Sequence, residues 1–146
     1  MSALAQFIRL PVTSVEQLRD HYDEVVEREG VQASEYYWSG YVLATVLPYL
    51  AEQGIDLTRS PFDALTRSLS AEHDASIYIF TPSHKDAFLS RLLPSLFSND
   101  TLRDYFNEFN QTAETDIGEA MLDGITCIYE SLISLDDDSV ILFSIG

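Results

Sequence analysis

The chain has 146 residues, of which 24 are acidic and 8 basic, giving a net charge of −16, with 46% hydrophobic and 12% aromatic residues. That composition is too apolar for a disordered chain, and a chain of this length buries about 68–70% of its unfolded surface without a metal or disulfide staple. The charge disfavours nucleic acid and anionic membranes, both of which call for cationic side chains, and favours a basic protein partner.

Residues 5–10, AQFIRL, alternate well enough for a short strand. Thr13 and Glu16 have capping-box spacing ahead of a helix that carries Val15, Leu18, Tyr22 and Val25 on one stripe and stops at Gly30. Ser34 then caps a second expected helix, running to Gln53 with Pro48 inside it as a kink or an early stop. Ser60-Pro61-Phe62-Asp63 has the cap, N1 proline and N3 acid of a helix start, for a short helix ending near Leu69. Residues 76–80, SIYIF, read as a strand. Thr81-Pro82-Ser83 opens a helix to about Leu93 before Pro94, and Asn99 or Asp100 caps the next, with Leu102, Tyr105, Phe106 and Phe109 facing inward. A long helix follows from about Asp116 to Leu135, and residues 139–145, SVILFSI, read as a strand buried on both faces. The fold class is therefore α+β: one mainly helical domain over residues 1–146, with about six helices around a small sheet of about three strands. Helix-sized connections permit parallel pairing in that sheet.

Neither a signal peptide nor a membrane span is expected, because the N-terminus lacks a basic segment and no apolar run approaches 18 residues. Cys127, the single cysteine, excludes an internal disulfide and fits a reducing compartment. It lies in an apolar helical stretch without bases, which marks it as structural rather than nucleophilic. Glu72-His73-Asp74 reads as a loop rather than a metal site, since adjacent side chains diverge, and Asp136-Asp137-Asp138 lacks the glycine and final glutamate of a calcium loop. Thr81 to Lys85 reads as a helix cap rather than an anion site, because Pro82 removes an amide and no glycine lets a phosphate approach. No HExxH, CxxC, GxSxG or glycine-rich nucleotide loop is present. No cofactor, no metal and no enzymatic activity are expected.

The charge is unevenly placed. After Arg103 no lysine or arginine occurs, while ten acids do. On the long helix Glu119, Asp123 and Glu130 share one sector, opposite Ile117, Met121, Ile125, Ile128 and Leu132, so the polar face is purely acidic. The first helix repeats this with Glu16, Asp20, Asp23, Glu24 and Glu27, diluted by Arg19 and Arg28. In SEYYWSGY, residues 34–41, a helical projection puts Tyr36 and Gly40 on a core stripe and turns Trp38 and Tyr49 away from it, near Glu35. Tryptophan and tyrosine dominate interface hot spots. The expected binding residues are thus Glu35, Trp38, Tyr49, Asp116, Glu119, Asp123, Glu130 and Asp136, Asp137 and Asp138. The expected function is that of a small cytoplasmic module that inhibits a basic protein, in the manner of a bacterial immunity protein or antitoxin, with imitation of a nucleic-acid backbone as a variant. Two alternatives stand beside it: salt adaptation, suggested by one lysine, Lys85, against seven arginines, and a metal-dependent hydrolase with a carboxylate site.

Overall fold

The structure, a computed structural model, describes residues 3–146. In chain order it contains β1 (Ala5–Pro11), α1 (Leu18–Glu29), β2 (Val31–Ser34), α2 (Leu43–Glu52), α3 (Asp63–His73), β3 (Ser76–Phe80), α4 (Pro82–Phe88), α5 (Asn99–Asn110), α6 (Ile117–Ile133) and β4 (Ser139–Ile145). The strands form one sheet in the order β2-β1-β4-β3, and every pairing is antiparallel. The α+β class is therefore as expected, with four strands rather than three and none of the parallel pairing that the long connections would permit. The added strand, VQAS, sits at the sheet edge.

Alternation along the strands divides the sheet into two faces. Phe7, Phe80, Ile141 and Phe143 point into one core with α2, α5 and α6. Leu10, Ile77, Ile79, Val140 and Leu142 point into a second, closed by Val15, Leu18 and Val25 and by Leu65 and Leu69 of α3. Central β4 is thereby buried on both faces. Aromatic rings bind the first core across three strands: Phe143 lies 4.7 Å from the tilted ring of Phe7 and stacks on Phe80 at 5.3 Å between centroids.

Local chemistry explains most boundaries. At α3, Asp63 Oδ1 accepts from the Ser60 amide at 2.8 Å and Ser60 Oγ accepts from the Phe62 amide at 3.0 Å, which closes a turn over 60–63, and the helix begins at Asp63, two residues after the expected start at Pro61. The helix runs to His73, four residues past the expected end, and stops where Asp74 turns left-handed, φ 49°. At α4 the Thr81 amide donates to His84 Nδ1 at 3.0 Å. That leaves the proton on Nε2, which donates to the Arg59 carbonyl at 2.7 Å. Buried His84 thus ties two connections together as a cap. α4 ends at Phe88 rather than Leu93, and two 3-10 turns, Leu89–Arg91 and Pro94–Leu96, follow. Ser98, one residue ahead of the two expected caps, accepts from the Thr101 amide at the start of α5. Thr13 and Glu16 cap nothing: both fall inside a 3-10 turn, Val12–Gln17, entered from Pro11.

The largest departure is at residues 34–42. Ser34 ends β2 instead of capping a helix, residues 35–39 are irregular, and the helical path begins at Gly40, where Ser39 Oγ accepts from the Tyr41 amide. Gly40 packs on the start of β1: its amide donates to the Ala3 carbonyl at 2.8 Å, and a Cβ there would meet Ala5 N at 3.0 Å. α2 then passes through Pro48 to Glu52, with Ala44, whose carbonyl the proline leaves unbonded, exposed to water.

Candidate binding surface

Long α6 organises the surface. Ile117, Met121, Ile125, Ile128 and Leu132 are buried, while Glu119, Asp123 and Glu130 are exposed. The irregular segment after β2 lies along this helix and is fastened to it at intervals. Ser34 Oγ donates to Glu130 Oε2 at 3.4 Å, Cys127 Sγ to the Glu35 carbonyl at 3.5 Å, and the Tyr36 hydroxyl to the Ala120 carbonyl at 2.8 Å. Trp38 Nε1 donates to Asp123 Oδ2 at 2.8 Å. Ala120, Asp123, Cys127 and Glu130 recur every three or four residues, which places them on one stripe of the helix. Burial pushes both the Tyr36 hydroxyl and the Cys127 thiol above their ordinary pKa values, so both remain protonated donors.

These contacts turn three aromatic rings outward. Tyr37 is 83% exposed, Tyr41 55% and Trp38 37%. The Tyr37 hydroxyl donates to Glu35 Oε2 at 2.8 Å, and that carboxylate holds its pKa above the ordinary value. Trp38 and Tyr41 border a groove of about 620 Å³ with a buried floor of Val42, Phe106 and Ile117. The turn between α5 and α6 completes the lining and brings in Glu114 and Asp116. No ion pair between described residues involves Glu35, Glu114, Asp116, Glu119, Asp123 or Glu130.

Of the residues singled out in the sequence, Glu35, Trp38, Asp123 and Glu130 come together here. Asp116 joins them at the groove, and Glu119 lies one turn before Asp123 on the same face. Tyr49 does not: it is 9% exposed, with its ring edge-on to Tyr105 at 4.9 Å and to Phe97 at 6.5 Å. Tyr49 lies within α2, and the side of that helix opposite the core stripe is covered by Tyr105 of α5 and by Phe97, so the face that the projection turns outward is buried. Asp136, Asp137 and Asp138 lie beyond the end of α6, whose last residue is about 15 Å along the axis from Asp123. There Asp136 Oδ1 accepts from the Asp138 amide at 2.9 Å, and Ser139 Oγ accepts from the Asp136 amide at 3.1 Å. Phe109, expected inside, is 54% exposed and stacks on Tyr105. Tyr41 and Glu114 line the groove although neither is among the binding residues expected from the sequence. The overlooked signal was Ser39-Gly40 ahead of the apolar run YVLATVL, a cap that moves the helix start five residues along.

Among the described residues no three His, Cys, Asp or Glu side chains are grouped to hold a metal ion, and no helix is long and apolar enough to cross a membrane. Comparison with protein families, with curated proteins and with solved structures finds no match to this chain. The surface itself combines flat aromatic faces with carboxylates that have no internal counter-ion, an arrangement suited to cationic groups.

Proposed function

We propose that this chain is a small acidic protein-binding module that neutralises a basic protein partner in the cytoplasm, as a bacterial immunity protein or antitoxin does. It acts by occupying the partner's surface rather than by catalysis. The observation that carries this reading is Trp38, exposed yet fastened to Asp123 among unpaired carboxylates. An exposed tryptophan costs solubility unless it meets a partner, and a fixed ring loses little entropy on binding. The surrounding charge adds speed. Complementary fields raise association rates to about 10⁸–10⁹ M⁻¹s⁻¹ at low salt, which suits an inhibitor that must reach its target first.

The test is affinity capture from the native host at about 0.1 M and about 1 M salt, where screening lengths are about 10 and 3 Å. A basic protein is expected at low salt, lost at high salt and depleted when the bait carries Asp123→Asn and Glu130→Gln. Recovery of nothing, or of acidic proteins alone, refutes the reading. Circular dichroism at the lower salt is expected to show a folded chain. Unfolding there would assign the acids to salt adaptation instead.

A further inference from the structure

We infer that the groove beside Trp38 and Tyr41 seats an arginine-bearing segment of the basic partner, an assignment that rests on the reading above. Three properties point to this occupant. The floor of Val42, Phe106 and Ile117 is apolar, and the volume of about 620 Å³ exceeds one side chain, so the groove suits a stretch of chain with apolar neighbours. The rim supplies aromatic faces from Trp38 and Tyr41, and the Trp38 ring is held in place by Asp123 before any partner arrives. Glu114 and Asp116 bring negative charge to the same cavity with no basic group paired to either.

A neutral segment would leave those carboxylates partly desolvated without compensation, and an acidic one would be repelled. Among cations, guanidinium fits best. It is planar and weakly hydrated, so it stacks on an indole or phenol face while its five in-plane donors remain free for carboxylates. An ammonium has to surrender a tight hydration shell to make the same contact. Arg103, the chain's last base, does not fill this role, since it pairs with Asp100 at 3.3 Å and Asp104 at 3.2 Å. The other acidic clusters are less apt. Arg19 and Arg28 interrupt the acids of α1, and Asp136 to Asp138 are drawn into a turn of their own hydrogen bonds.

Trp38 is the chain's single tryptophan, so its fluorescence reports on this groove alone. The probe is a blocked hexapeptide carrying two arginines among glycine and leucine residues, with a citrulline twin of the same shape and no charge, and a lysine twin. The arginine peptide is expected to change Trp38 emission saturably, the lysine peptide to bind more weakly, and the citrulline peptide to leave it unchanged. Tyr41→Ala and the pair Glu114→Gln with Asp116→Asn, all at exposed positions, are each expected to weaken the response about tenfold. Asp136→Asn, Asp137→Asn and Asp138→Asn together are expected to leave it intact. No emission change, an equal response to citrulline or lysine, or equal weakening by the 136–138 variant overturns the assignment. Its failure is separable from that of the functional reading. A captured basic protein that binds Tyr41→Ala as well as wild type ends the groove assignment and leaves the function standing. A peptide response without any captured basic protein does the reverse.

Discussion

Two glycines of α6 sit where neighbouring elements approach closely, and alanine at each gives opposite balances. At Gly118 a Cβ would lie 2.2 Å from the Asn99 carbonyl oxygen and 3.0 Å from its carbon, at the first turn of α5. These are backbone atoms and cannot rotate away, so the α5 end has to move outward by about 1 Å. Overpacking of that kind costs about 1–3 kcal/mol, against about 0.8–1 kcal/mol gained in helix propensity. Because a contact near 2 Å lies at the severe end of such clashes, a net loss of about 1–2 kcal/mol is expected for Gly118→Ala, or roughly 2–8 °C in Tm for a chain of this size. At Gly124 the Cβ would meet the end of the Leu43 side chain at 2.9 Å. That group can turn aside, so Gly124→Ala is expected within about 0.5 kcal/mol of wild type. Urea unfolding followed by circular dichroism measures both variants. Since Phe106 and Ile117 floor the groove, the moved α5 should also alter Trp38 emission in Gly118→Ala alone. Equal stability of the two variants would refute the argument that backbone contact sets the cost.

Lys85, the one lysine, donates to the Leu135 carbonyl at 2.6 Å and the Ile133 carbonyl at 3.4 Å, at the negative end of α6. Lys85→Met is expected to lower unfolding free energy by about 1–2 kcal/mol through the lost charge-assisted bond and dipole contact, and an unchanged urea midpoint would contradict this. Burial lowers the His84 pKa despite the bond to the Arg59 carbonyl, so the folded state holds the neutral ring. Its stabilisation is complete above the unfolded value of about 6.5 and declines as pH falls below it. The stability advantage of wild type over His84→Asn should therefore be flat above about pH 7 and shrink on acidification, and urea midpoints that track each other across that range would rule the mechanism out.

Elements whose identity is local were legible in the sequence. β1, β3 and β4 show period-two or fully apolar patterns, and α6 repeats apolar residues at helical spacing, with all five expected core positions buried. β2 is less legible. VQAS alternates over only four residues, too few to stand out, and its Val31 is exposed, so it becomes a strand because the edge of β1 is there to pair with it. Residues 35–39 defeat periodicity for the same kind of reason. Their conformation is set by contacts with α6 some 85 residues away, which no local window contains. Trp38 does face the acids, but the helical projection that put it there was wrong about the backbone. The same projection misplaced Tyr49, which sits within a real helix whose inward face is decided by packing on α5.

The placement of the bases sharpens which acids matter. Arg9 and Lys85 donate to carbonyls at the end of α6, Arg91 to the Gln53 carbonyl at the end of α2, and Arg28, Arg59 and Arg103 pair with acids within three residues. Six of the eight bases thus have partners within the fold, leaving few to balance the acidic half of the chain. Some acids have a structural reason too. Asp63, Asp100, Asp116 and Glu119 stand in or beside the first turn of α3, α5 or α6, where negative charge complements the helix dipole. Asp123 is mid-helix, where the dipole offers nothing, Glu130 stands in the last turn of α6, where the dipole opposes negative charge, and Glu35 and Glu114 lie outside helices altogether. Folding does not explain the charge of these four, and all four lie on the α6 stripe or the groove that Trp38 borders. Self-repulsion makes such charge unfavourable in the free molecule, and a cationic partner removes that penalty on binding. The residues least accounted for by stability are therefore the ones whose neutralisation should most change binding while least changing the unfolding midpoint.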